Sequence, residues 1–230
     1  MTLKMLGRLI VFEGVEGAGK TTQLRLLQEW LPSQVSHPIV VTREPGGTQL
    51  GLRLRQLLLE LGASNEENLS NPDPRPLTPD PLTELLLYAA DRAQHVEEVL
   101  KPQLASGAIV LCDRYTDSTT AYQGYGRGLN LSLIAQLNKI ATGGLESDLT
   151  LWLDVDVEIS LARVQGRGRA DRIEQETALF HRRVQQGYIE LAKAHPHRII
   201  RIDASLSEAV VQQQIQDILF RQVLSSFDEE

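Results

Sequence analysis

Short runs of Val, Ile and Leu recur along the chain, and stretches with helical spacing separate them. The runs lie at 8–12, 39–42, 108–112, 149–153 and 198–202. Each is apolar at nearly every position rather than at every second one, as expected of strands covered on both faces in a parallel sheet. Between them, apolar residues three and four apart mark helices over 21–31, 49–61, 82–104, 131–142, 158–163, 175–194 and 207–224. The alternation predicts an α/β fold in three layers, with helices on both sides of a five-stranded parallel sheet.

The segment 62–81 breaks the pattern. It holds five of the ten prolines, Pro72, Pro74, Pro76, Pro79 and Pro81, with polar residues between them. Proline lacks the N–H that a helix interior or a central strand requires, so the segment is expected to be a surface loop. The polar tail 225–230 is expected to fray.

A length of 230 residues, 42% of them hydrophobic, suits one domain spanning 1–230. No apolar run approaches the ~20 residues of a membrane span. The N-terminus lacks the apolar segment of a signal peptide, so the expectation is a cytoplasmic protein without membrane attachment. A net charge of −7 offers no field that would attract a nucleic-acid backbone, so any anion must be bound by a local site. Cys112 is the one cysteine and lies in an apolar run, which leaves neither a disulfide framework nor a thiolate metal site. His37, His95, His181, His195 and His197 are scattered, without metal-ligand spacing.

Chemistry enters between the first strand and the first helix. The stretch "FEGVEGAGKTT" at 12–22 contains Gly14-x-x-x-x-Gly19-Lys20-Thr21, the phosphate-binding loop pattern in its strand–loop–helix context. Glycines allow the backbone N–H groups of Gly14, Val15, Glu16, Gly17, Ala18 and Gly19 to turn around phosphate oxygens, and the helix N-terminus adds positive potential. Lys20 would reach the β- and γ-phosphates, and the Thr21 hydroxyl, followed by Thr22, would bind Mg²⁺. The plainer alternative is a glycine-rich helix start with a surface lysine. Such a loop serves GTPases, ATPases, motors and kinases alike. The nearest match to a guanine-reading Asn-Lys-x-Asp, Asn138-Lys139-Ile140-Ala141, lacks the aspartate.

Four further stretches narrow the choice: "TREPGGT" at 42–48, "ELLLYAADRAQH" at 84–95, "DRYTDSTTAYQGYGRGL" at 113–129 and "GRGRADRIE" at 166–174. With the loop, they make the chain resemble the thymidylate kinase family, from about residue 8 to about residue 219. The resemblance implies Mg²⁺-dependent transfer of a phosphoryl group from ATP to dTMP. It also implies a P-loop kinase fold with a short arginine-rich lid at about 163–173, and a homodimer formed through helices on one side of the sheet.

The resemblance also assigns residues. Lys20, Arg114, Arg167 and Glu16 are the expected catalytic group, with Arg167 on the lid and Glu16 near the acceptor's 3′-hydroxyl. One branch of the family carries an arginine directly after the acidic residue. Gly17 stands there, so the lid must supply it. Gly14 to Thr22, with Arg163 and Arg172, form the expected ATP site. Arg169 reads better as a solvated charge. The dTMP site comprises Glu16, Arg43, Pro45, Arg53, Tyr88, Arg92, Arg114, Thr119, Tyr122 and Gln123. Within it Tyr88 stacks on thymine, Arg92 donates to the thymine O4, and Thr119 and Gln123 bond the base edge. Arg43 either contacts the acceptor phosphate or pins its loop; Tyr122 either crowds a ribose 2′-hydroxyl or is simple packing. Asp113 either holds Mg²⁺ through water or orients Arg114; the plainer alternative is an internal salt bridge between the two. Glu13, at the strand end, is expected as a supporting residue that either orients the loop or takes a direct role. The donor base is expected beside Ala204 and Ser205. Two rivals remain: a nucleoside kinase with Glu13 as base, and a nucleotide-binding regulator that does not turn over.

Overall fold

The computed structural model describes residues 7–60, 79–166 and 171–224. Most of the proline-rich loop, the lid residues Arg167 and Arg169, and the tail 225–230 lie outside the described residues. In chain order the elements are β1 (Arg8–Glu13), α1 (Lys20–Trp30), β2 (Ile39–Arg43), α2 (Gln49–Glu60), α3 (Pro81–His95) and α4 (Lys101–Ala105). There follow β3 (Ile109–Asp113), α5 (Thr116–Thr119), α6 (Leu131–Thr142), β4 (Leu149–Asp154), α7 (Val157–Gln165), α8 (Ala178–Ala194), β5 (Ile199–Asp203) and α9 (Glu208–Gln222).

The strands form one parallel sheet in the order β2-β3-β1-β4-β5, the α/β fold that the apolar runs predict. Side chains alternate across β1: Ile10 and Phe12 join Leu24, Leu27, Val184, Ile215 and Leu219 on one face. Leu9 and Val11 join Val96, Leu100 and Leu104 on the other. Both faces are therefore buried, which explains the near-continuous apolarity of the strands. Each strand ends on a charged residue: Glu13, Arg43, Asp113, Asp154 and Asp203. That row lies along the carboxyl edge of the sheet, where open α/β sheets bind ligands.

Three elements depart from the sequence pattern. Pro81, expected in a loop, is the first residue of α3, where its missing N–H costs nothing, and Asp80 caps the helix by accepting from the Leu82 N–H. The helix expected over 82–104 widens into a π turn at Val96–Leu100 before α4. Pro102 stands two residues past its end and has no N–H to continue regular bonding, so the wider turn absorbs the defect. The helix expected from 175 starts at 178, because Asp171 accepts from the N–H groups of Ile173 and Glu174 and holds a turn there. The stretch 116–126, for which the pattern predicts no element, is helical, with α5 running into a π segment, Thr120–Gly126.

Candidate active site

A cavity of about 450 Å³ opens at the carboxyl edge of the sheet, between the loop after β1 and the inward face of α3. The loop is shaped by glycines that no other residue could replace without strain. Gly14, Gly17 and Gly19 have φ of 136°, 77° and 93°. A Cβ on Gly17 would lie 2.6 Å from the Ser160 carbonyl oxygen. Val15 and Ala18 turn their side chains into the core, so only their backbone faces a ligand. Lys20 is buried and donates to the Gly14 and Val15 carbonyls, both at 3.0 Å. Burial, with Arg114 beside it, pulls the Lys20 ammonium below its ordinary value, while Glu16 and Asp113 oppose the shift. Thr21 and Thr22 line the cavity.

Arg114 joins the two sides of this cavity. It sits just past β3 in the left-handed region, with φ 69°. Its Nη1 donates to the Gly14 carbonyl and Ser118 Oγ, each at 3.0 Å, and its Nη2 donates to Tyr122 OH at 3.1 Å and to Glu16. The guanidinium also lies over the Tyr122 ring, 4.9 Å from its centroid. Burial works against ionisation of Glu16, but Arg114 and Lys20 overcome it and hold the carboxyl at about 2. Glu13 is fully buried and accepts from Tyr115 N, Ser118 N, Ser118 Oγ and Tyr188 OH. It shapes the 113–118 turn from beneath, and it does not line the cavity.

The opposite wall is made by α3 and the elements around it. Tyr88 lines the cavity one turn before Arg92. Arg92 is 1% exposed. It donates to Glu44 at 2.8 Å, Thr119 Oγ1 at 2.9 Å, Asn138 Oδ1 at 2.8 Å and the Tyr115 carbonyl at 2.9 Å. Of its five donor hydrogens, these bonds leave one to offer a ligand. Thr119, Tyr122 and Gln123 line the same space, as do Arg43 and Pro45 from the end of β2.

Two arginines stand elsewhere than expected. Arg53 is exposed on the outer face of α2 and does not line the cavity; Arg55 does, and donates to the Pro45 carbonyl at 3.1 Å. Positions 51, 55 and 58 share the inward face of that helix, and position 53 lies about half a turn away. Arg172, expected at the ATP phosphates, is buried between α2 and α3 instead, where it donates to the Leu58 carbonyl at 2.9 Å and to Glu84. Those two bonds, one to α2 and one to α3, commit its guanidinium there. Arg163 lies beside the phosphate-type loop, donating to the Gly17 carbonyl at 3.3 Å and to the Ala204 carbonyl at 3.2 Å. It thereby ties the loop to the segment after β5. Arg55, Ser118 and Glu174 are cavity residues that sequence reasoning missed.

The donors suit a divalent cation held largely by its ligand. Thr21 and Asp113 line one cavity, and Asp113 Oδ1 is buried without a hydrogen-bond partner among the described residues. No group of three or more His, Cys, Asp or Glu residues is gathered for a metal among the described residues. A hydrated Mg²⁺ that draws most of its oxygens from phosphates and water fits this arrangement. The cavity thus sets Lys20, Arg43, Arg55 and Arg114 around a space with a backbone anion cradle on one side and an aromatic and a buried arginine on the other. It can hold two anionic groups end to end.

Known proteins resemble the chain over most of its length. The thymidylate kinase family model matches residues 12–215. A thymidylate kinase of Nostoc punctiforme is 64% identical over 216 residues, covering 94% of this chain and 96% of that protein. One from Trichodesmium erythraeum is 56% identical over 232 residues, covering 96% and 98%. The crystal structure of thymidylate kinase from Ehrlichia chaffeensis matches with a TM-score of 0.71 at 35% identity, over 93% of this chain and 98% of that one. By sequence and by fold, the chain belongs to the thymidylate kinase family.

Proposed function

We propose that the protein phosphorylates dTMP: ATP + dTMP ⇌ ADP + dTDP, feeding dTTP synthesis. The observation that carries this reading is Arg114, which bonds both to the Gly14 carbonyl of the phosphate loop and to Tyr122 and Glu16 at the acceptor wall. A cation at that junction lies where the transferred group would pass between donor and acceptor. The acceptor phosphate is already anionic, so the protein's tasks are alignment and charge neutralisation, and no strong base is required. Lys20 leaves the Gly14 and Val15 carbonyls to meet the β- and γ-phosphates. Arg114 and Arg43 hold the acceptor phosphate, with Arg55 beside them. Tyr88 stacks on the base, and the remaining Arg92 N–H meets its carbonyl edge. Thr21 and Asp113 are the residues that would hold Mg²⁺, which would supply charge neutralisation at the donor phosphates. Arg167 supplies a further cation in this reading, although it lies outside the described residues.

The protein is read as one domain over 1–230, working in the cytoplasm as a homodimer. Among the described residues no helix is long and apolar enough to cross a membrane. Leu50 and Leu57 on α2, Leu86 on α3 and Ile140 on α6 are exposed. These three helices pack side by side and would offer one apolar face to a second copy. The rival nucleoside kinase needs a base at the acceptor, and Glu13 is enclosed by four donors away from the cavity.

A coupled ADP-release assay with ATP and Mg²⁺, run against dTMP, dUMP, UMP, AMP, GMP and thymidine, tests the reading. Turnover strongest with dTMP and weaker with dUMP is expected. Turnover with thymidine but not dTMP would move the chemistry to Glu13, and none with any acceptor would favour a regulator.

A further inference from the structure

Glu84 takes no part in the phosphate chemistry above, yet four bonds converge on it. It is 1% exposed and lies one helical turn before Tyr88 and two before Arg92, on the inward face of α3. Its Oε1 accepts from Gln123 Nε2 at 2.8 Å and from Arg127 Nε at 3.3 Å. Its Oε2 accepts from Arg127 Nη2 at 3.3 Å and from Arg172 Nη2. Arg127 also donates to Glu176 at 2.5 Å. Two guanidinium groups and two carboxylates therefore balance in a largely buried cluster, and removing one member leaves another uncompensated. Gln123 lines the acceptor part of the cavity. Arg172 and Glu176 belong to the segment 171–176, whose Asp171, Ile173 and Glu174 form the facing wall. One carboxylate thus holds a candidate base reader and the wall opposite it.

We propose that Glu84 is a positioning residue that couples acceptor binding to the docking of segment 171–176. A base that engages the Gln123 amide fixes the Glu84 carboxylate, and the fixed carboxylate holds Arg172. The inference rests on the acceptor reading given above and extends it.

Hydrogen exchange in the full chain tests the coupling. The amides of Ile173 and Glu174 donate to Asp171 Oδ1 at 2.9 Å, and that of Glu176 to the Ile173 carbonyl at 3.2 Å; these bonds are internal to the segment, so they report whether its turn is kept ordered by the contact of Arg172 with Glu84. Saturating dTMP is expected to slow their exchange ~10-fold in the wild type. In Glu84→Gln, which keeps shape and an acceptor for Gln123 but loses the charge that holds Arg172, the same addition slows them less than ~2-fold. KM for dTMP rises ~10-fold in that variant while KM for ATP stays within ~2-fold, a split that general destabilisation would not produce. Arg172→Gln breaks the contact from the other side, leaves α3 intact and is expected to lose the dTMP-dependent protection as well. Either variant retaining wild-type protection, or a wild type that shows none, overturns the proposal. Protection by dTMP without dTMP turnover would sink the acceptor reading and leave the coupling standing. No binding of dTMP at all would sink both.

Discussion

Around Gly14 to Lys20 the protein presents backbone to its ligand, whereas along α3 it presents side chains held in place by other side chains. The first wall is contained in eleven consecutive residues, 12–22. Its shape comes from positive φ angles and from the approach of Ser160, whose hydroxyl donates to the Glu16 carbonyl. The second wall draws Glu44, Arg92, Thr119, Asn138 and Arg172 from segments far apart in the chain. A backbone wall binds any polyphosphate and tolerates little change. A side-chain wall can be tuned to one base, and losing one bond weakens it without dismantling it.

That contrast predicts a ranking of damage. Arg114 touches both walls, so Arg114→Ala should lower kcat/KM by ~10³-fold or more, measured by ADP release at varied dTMP. A loss under ~10-fold would mean that the two walls do not meet there. Gly17→Ala tests the backbone wall alone. The added Cβ collides with the Ser160 carbonyl and must hold φ near 77°, a strain of about 1–3 kcal/mol. The expected result is kcat/KM for ATP down ~10- to 100-fold, with dTMP affinity by calorimetry almost unchanged. Glu44→Gln tests the other wall. Arg92 keeps Thr119, Asn138 and the Tyr115 carbonyl but loses its charge partner. KM for dTMP should rise ~10-fold and that for ATP stay constant. Equal effects on both substrates would show that the walls are not separable.

The same contrast explains what could be read in the chain. The five strands and the phosphate loop were legible because each is a local pattern: a run of apolar residues, or a spacing of glycines and a lysine. The acceptor wall was legible only as motifs, without its bonds. Arg53 and Arg55 are two positions apart, and both can be written as phosphate ligands. The helical phase of α2, with Gly51 packed close against Asp91, turns position 55 inward and position 53 to solvent. Arg172 sits in a run of arginines that suggests a cation flap, and its partner Glu84 lies 88 residues away. Nothing local in either stretch announces that pairing. The π turn at Val96–Leu100 was legible in principle from Pro102, since a proline inside a helical pattern always requires an adjustment.

Glu16 belongs to both walls, being part of the loop by its backbone and the partner of Arg114 by its side chain, and it makes the smallest prediction. Its folded-state value of about 2 lies below the ordinary 4.5, because Arg114 and Lys20 outweigh burial. A carboxyl depressed on folding stabilises fully above its ordinary value and loses that contribution as pH falls through the folded one. The window is therefore about pH 4.5 down to about pH 2. The side chain is 28% exposed, so screening reduces the effect to the order of 2 kcal/mol. For a chain of this size that corresponds to roughly 4–8 °C in Tm. Glu16→Gln keeps an acceptor for Arg114 but cannot titrate. Wild type should melt above the variant at pH 6, and the gap should close as the pH is lowered across the window. A gap that stays constant with pH would mean that Arg114 does not set the charge of Glu16. The junction between the walls would then be held by the Tyr122 and Gly14 contacts instead.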